Sequence, residues 1–195
     1  MDFQFTAEDE LFRKEVREFV LQELPENWEG GGRYPEEDDW DLTLSLRKKM
    51  AERGWLTMHW PEAYGGQNAT AVRSAIFSEE LTYNRTPGRD IFGVRMLGPT
   101  LMIHGSEEQK TTHLPPVARG EIQWCQGYSE SESGSDLASL DTRAVLDGDE
   151  YLVNGSKIWT SMAHRADWIM LLTRTDPDAP KHRGITFMLV DMKTP

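Results

Sequence analysis

Along the N-terminal part of the chain, apolar side chains recur at helical spacing. Thr6 and Asp9 form a capping-box pattern, and Leu11, Phe12, Val16, Phe19 and Val20 follow on one face of a helix that Pro25 ends. Asn27 to Asp39, with three consecutive glycines and a run of acids, reads as a mobile loop. Periodicity returns from Trp40 to Ala51 through Leu42, Leu44, Leu46 and Met50, with Gly54 as the stop. The Trp-, Pro- and Gly-rich stretch from Trp55 to Asn68 suits neither regular element. Its Tyr64-Gly65-Gly66 run lacks the Gly-Lys-Ser/Thr of a phosphate loop and reads as a tight connection. A helix is predicted over Ala71 to Tyr83, with Val72, Ala75, Ile76 and Leu81 inward. Another spans Ile91 to Ile103 and should be interrupted at Gly98-Pro99. Ser106 and Gln109 open a short helix that should break at Pro115-Pro116.

From Ile122 onward the period falls to two. Strands are predicted at Ile122 to Tyr128, Thr142 to Leu146, Tyr151 to Val153, Lys157 to Thr160, Trp168 to Thr173 and Ile185 to Val190. Asp147-Gly148 and Asn154-Gly155 each favour the positive φ of a two-residue hairpin turn, which makes the centre of this region a β-meander. Helices first and strands second define an α+β chain, divided near Gly120 into residues 1–120 and 121–195. Between the first two strands lies Ser129 to Asp136, a loop of Ser, Glu and Gly. Its N–H groups and hydroxyls could face an acceptor-rich ligand, although such loops are also ordinary solvated turns.

Composition narrows the function. A net charge of −12 argues against nucleic-acid or anionic-membrane partners, which need clustered Lys and Arg, and no apolar run approaches membrane-spanning length. Hydrophobic content of 38% and charged content of 28% are those of a soluble globular chain. The single cysteine, Cys125, lies in an apolar strand and cannot form an internal disulfide. With no secretory pattern at the N-terminus, a reducing, cytoplasmic setting is expected. The five histidines, His59, His104, His113, His164 and His182, show no metal-ligand spacing, so no metal is expected.

Tyr128-Ser129-Glu130 followed by Gly134-Ser135-Asp136, then Asn154-Gly155-x-Lys157-x-Trp159, resembles the flavin-binding signature of the acyl-CoA dehydrogenase family. Three earlier stretches agree with the family in order. They are Gly54-Trp55, Pro61-Glu62-x-Tyr64-Gly65-Gly66, and Gly105-Ser106-Glu107-Glu108-Gln109-Lys110 with Leu114-Pro115. The resemblance implies an N-terminal all-α domain followed by an antiparallel, β-barrel-like middle domain. Family members are longer, and the likeness ends with that middle domain incomplete and the C-terminal helical domain absent.

The resemblance also implies FAD, bound without a Rossmann fold, in keeping with the absence of a G-x-G-x-x-G motif after a strand. It places the polar edge of the flavin along Gln126, Tyr128, Ser129, Gly134 and Ser135, and Trp159, Thr160 and Ser161 beside the isoalloxazine. Ser161 stands where the family usually has a threonine hydroxyl near N5. Ser135 resembles the residue that meets the CoA arm of the substrate. By residue type alone, Trp159 reads as a core tryptophan. The chain departs from the family at Ser131, where a proline is usual, and at Glu132, where a glycine is common. The first change frees φ and leaves the loop less pre-organised.

The reaction implied is α,β-dehydrogenation of an acyl-CoA, with electrons passed to an electron-transfer flavoprotein. The family's base is a glutamate of the C-terminal domain, so no catalytic residue is assigned in these 195 residues. Glu79, Glu80 and Glu130 read as solvated or structural carboxylates. The chain alone is therefore expected to hold FAD poorly and to be inactive. A homo- or hetero-tetramer is expected by the same resemblance. Two other readings remain: a non-catalytic subunit of a heteromeric dehydrogenase, and an oxygen-using flavoprotein of the same fold.

Overall fold

The computed structural model describes residues 5–30 and 39–194. Most of the predicted loop between Asn27 and Asp39 lies outside them. Two compact units, Met1–Glu121 and Ile122–Pro195, make up the chain.

In the first unit, α1 (Ala7–Glu23) starts at the predicted cap. The Asp9 N–H donates to the Thr6 hydroxyl and the Thr6 N–H to the Asp9 carboxylate, each at 3.1 Å. Phe12, Val16, Phe19 and Val20 form its buried stripe at i, i+4, i+7 and i+8. Leu11, expected inward, is exposed because it lies one step round the helix from that stripe. Leu44 and Val72 are exposed for the same reason. The second helix, α2 (Trp40–Glu52), ends in two bonds, Gly54 N–H to Ala51 O at 2.8 Å and Trp55 N–H to Met50 O at 2.9 Å. Gly54 takes φ +68° there, as the stop requires, and the reversal drops Trp55 into the core. Phe12, Phe19 and Phe77 meet the Trp55 indole with centroids 5.9, 5.3 and 6.0 Å away.

The Tyr64-Gly65-Gly66 run is the tight connection predicted. A single 3₁₀ turn, Glu62–Tyr64, closes on Gly65 at φ +85°, and a side chain on Gly66 would strike the Trp60 carbonyl at 1.9 Å. The third helix, α3 (Ala71–Tyr83), has the predicted bounds. It carries the buried carboxylate Glu80, which Arg17 and Arg13 hold in ion pairs at 2.8 and 3.1 Å. The predicted interruption at Gly98-Pro99 is present: a π-helical segment, Ile91–Leu97, gives way to α4 (Gly98–His104). By contrast, α5 (Glu107–Ala118) runs through Pro115 and Pro116 where a break was predicted. Both prolines fall in its last turn, where their carbonyls close the helix by accepting Arg119 N–H and Glu121 N–H at 3.0 Å each. The flanking Leu114 and Val117 are buried, which offsets the lost helical bonds. Among the described residues no helix is long and apolar enough to cross a membrane.

The second unit is an open sheet in the order β1-β4-β2-β3, with β5 on β4. Its strands are β1 (Trp124–Gly127), β2 (Arg143–Asp147), β3 (Glu150–Asn154), β4 (Trp168–Arg174) and β5 (Ile185–Asp191). The helices-then-strands reading holds, but the sheet is mixed rather than wholly antiparallel. β1 runs parallel to β4, and β2 meets β4 in parallel at Arg143 and Arg174. The loop and hairpin between β1 and β4 are long enough to bring the chain back in the same direction. Asp147-Gly148 makes the predicted hairpin, with Asp147 opposite Glu150 and Gly148 at φ +65°.

The predicted strand at Lys157 to Thr160 does not form, and Asn154-Gly155 makes no hairpin. Gly155 instead presses on Thr142, whose hydroxyl lies 2.4 Å from where a side chain would begin. The positive φ of Trp159 (58°) and Met162 (67°) then breaks any extension.

Candidate functional site

Part of the sequence-predicted set, Gln126 to Ser129 and Trp159 to Ser161, lies where the chain leaves β1 and where it passes the segment after β3. Tyr128 packs edge-on to Phe187, centroids 6.5 Å apart, and burial pushes its phenol up, partly offset by a hydrogen bond with Gln126. The next residues are joined to the distant segment one by one. Lys157 Nζ donates to Tyr128 O at 3.1 Å, Ile158 N–H to Ser129 O at 2.9 Å, and Lys157 Nζ again to Glu130 Oε1 at 2.7 Å. Trp159, Thr160 and Ser161 follow directly, so the bend at Ser129 and the turn at Trp159 are held side by side.

That turn has unusual features for a surface segment. The Trp159 indole is 86% exposed, so it is not a core tryptophan. Its backbone sits in the left-handed region at φ +58°, which disfavours a bulky residue and requires the surroundings to hold it. Ser161 N–H closes the turn on Trp159 O at 3.0 Å, and the buried Met162 lies beneath. The buried Thr160 Oγ1 has no hydrogen-bond partner among the described residues, although buried hydroxyls are normally paired.

Gly134 and Ser135 are exposed, with open space around Gly134. The loop before them closes on itself through Glu130 N–H to Ser133 O at 2.8 Å and Ser133 N–H to Glu130 O at 3.2 Å. Its exit is fixed by Arg174, whose guanidinium donates to the carbonyls of Ala138, Leu140 and Lys181 at 2.7, 3.1 and 3.0 Å.

Glu130 and Lys157 are the pair that sequence reasoning missed. Both side chains are largely buried, 10% and 7% exposed. The Glu130 carboxylate also accepts Asp141 N–H at 2.7 Å and Thr142 N–H at 2.9 Å. Burial pushes this carboxyl up, but Lys157 and the Asp141 and Thr142 donors outweigh it and bring the pKa down to about 2. Both residues stood inside recognised motifs; nothing in the one-dimensional pattern showed that they meet. Because the ordinary pKa of 4.5 applies to the unfolded chain, its Glu130 takes up a proton first as pH falls. The stabilisation is therefore complete above about pH 4.5 and is lost on descending toward pH 2. Urea denaturation at stepped pH is expected to show this loss, and Glu130→Gln should remove most of the slope.

Cys125 is buried and its thiol is pushed up to about 11 by burial, which leaves it unreactive. Among the described residues no cluster of His, Cys, Asp and Glu could hold a metal ion.

These features carry the stamp of a shared family. Residues 6–121 match the acyl-CoA dehydrogenase N-terminal domain and residues 125–195 its middle domain. The chain belongs to the acyl-CoA dehydrogenase family. It is 38% identical to the acyl-CoA dehydrogenase FadE26 of Mycobacterium tuberculosis, over 97% of this chain and 48% of that protein. Among solved structures, the Tcur3481-Tcur3483 steroid ACAD superposes with a TM-score of 0.86 at 39% identity, over 98% of this chain and 49% of the other. A glutaryl-CoA dehydrogenase from Mycobacterium smegmatis in complex with FADH2 superposes with a TM-score of 0.73 at 28% identity, over 98% and 47%. The chain thus spans about half the length of the relatives it matches.

Proposed function

We propose that this chain is the flavin-binding part of an FAD-dependent acyl-CoA dehydrogenase, with FAD resting against Trp159 and the Ser129 bend. The observation that carries the reading is the turn itself, an exposed indole held in left-handed backbone and tied to the Ser129 bend through Ile158 N–H to Ser129 O. An exposed indole fits a planar ring system, and a strained backbone that presents it to solvent is explained by something that packs there. The relative solved with FADH2 supports the same cofactor.

When bound, FAD supplies a hydride acceptor for the β-hydrogen of an acyl-CoA. The residues of the chain do the rest of the positioning. Trp159 offers a face for ring packing, and the exposed Ser161 hydroxyl offers a donor. Ser129 and its neighbours, with Gln126 and Tyr128 behind them, meet the polar edge, and Gly134 and Ser135 leave room for the substrate's CoA arm. None of the chain's carboxylates is assigned as the α-proton base. Glu80 and Glu130 are tied up in ion pairs, and Glu79 is bound by Arg13 at 2.7 Å. We therefore assign proton abstraction to a carboxylate this chain does not supply, and expect the isolated chain to be inactive. Electrons would pass to an electron-transfer flavoprotein. Likeness to the steroid ACAD, which is named for two components, favours a steroid-derived acyl-CoA and a hetero-oligomer in which a partner completes the site.

The test is an FAD titration of the chain, followed by flavin fluorescence. Trp159→Ala should weaken binding by about tenfold while leaving the denaturation midpoint unchanged, since the indole contributes little to the core. Equal FAD affinity in the variant would remove the indole from the site. Bleaching of bound flavin by acyl-CoAs under anaerobic conditions would overturn the assignment of the base to another chain or segment.

A further inference from the structure

Ser131 does not restrict φ as a proline would, so the bend it follows must be fixed by non-covalent contacts. Those contacts centre on one buried ion pair. Lys157 Nζ spans Tyr128 O and Glu130 Oε1, while the next residue, Ile158, bonds the intervening Ser129 O. Three consecutive residues on one side thus meet two consecutive residues on the other, which fixes register as well as distance. The second oxygen of Glu130 takes Asp141 N–H at 2.7 Å and its first also takes Thr142 N–H at 2.9 Å, so the residues that lead into β2 are gathered into the same knot.

A buried ion pair of this kind is a weak source of net stability, because desolvating both charges offsets their attraction. An apolar or neutral pair of similar volume often serves as well. Its geometric specificity is what a neutral pair lacks. A charged ammonium must sit on its acceptors, and that requirement holds the Ser129 bend and the Trp159–Ser161 turn at one spacing.

We propose that Glu130 and Lys157 are positioning residues, a charged clamp that sets the separation between the two walls of the flavin site. The inference rests on the flavin reading above for what is positioned, though the clamp itself can be tested without the cofactor. The informative variant is the neutral double replacement Glu130→Gln with Lys157→Met, which keeps one amide oxygen to accept either the Asp141 or the Thr142 N–H and leaves no unpaired charge. Lys157→Arg serves as the conservative comparison.

Two readouts are taken on each protein. In hydrogen–deuterium exchange the Ile158 amide should exchange at least about tenfold faster in the double variant, while the β4–β5 amides stay protected. A loss of protection throughout the sheet would mean a merely structural role and would overturn the clamp. In an FAD titration the double variant should bind about tenfold more weakly than the unaltered chain, with Lys157→Arg recovering much of the difference. If the unaltered chain takes up FAD and the double variant matches it, the clamp positions nothing. If the unaltered chain takes up no FAD even at cofactor concentrations high enough to reveal weak binding, the flavin reading fails, and Ile158 exchange alone then decides whether the clamp exists.

Discussion

Lys157→Met as a single replacement is expected to destabilise the strand unit by about 3–5 kcal/mol, a large share of the stability of a small domain. The reason is the charge left behind. The Glu130 side chain stays largely buried at 10% exposure with its ammonium partner gone, held by the Asp141 and Thr142 donors that remain. Tyr128 O loses its Lys157 donor as well. Adding Glu130→Gln should restore much of the loss, because a neutral amide tolerates the same cavity. The pair of variants therefore forms a cycle in which the double is more stable than the single. Chemical denaturation read by the fluorescence of Trp124 and Trp168, stacked at 5.6 Å within this unit, measures it. A single variant within about 1 kcal/mol of the unaltered chain would mean that the pair carries no such strain when broken.

Trp55→Ala should cost the helical unit a comparable amount, about 3–5 kcal/mol. Trp55 is where three elements meet: Phe12 and Phe19 from α1 and Phe77 from α3 all approach its ring edge-on. The Arg53 guanidinium covers the same indole at 5.4 Å. Removing the ring leaves a cavity whose walls belong to separate helices, anchored by their own caps, so collapse into it is limited. Trp55→Phe should retain most of the stability. Denaturant unfolding with an unchanged slope and a lower midpoint is the expected result. A midpoint equal to that of the unaltered chain would show that the three phenylalanines pack adequately without it.

On the flavin reading proposed above, function and stability separate at Trp159. Its backbone is strained, yet the exposed indole adds little burial. Residues that stability does not explain are those to assign to a ligand.

Much of the local structure was determined by the sequence itself. The capping boxes at Thr6 and Ser106, the stop at Gly54, the interruption at Gly98-Pro99 and the Asp147-Gly148 hairpin all depend on neighbours within a few residues. Short-range hydrogen bonding and backbone sterics suffice for these, and they can be read along the chain. The motif residues around Ser129 and Trp159 were legible too, through resemblance. Tertiary structure decided the rest. Whether Leu11 faces inward depends on what packs beside it, and whether Pro115 breaks a helix depends on the burial of Leu114 and Val117. The parallel course of β1 against β4 and the loss of a strand at Lys157 follow from pairing over long separations. Above all, Glu130 and Lys157 stand 27 positions apart, and their charges acquire meaning only when folding removes the water between them.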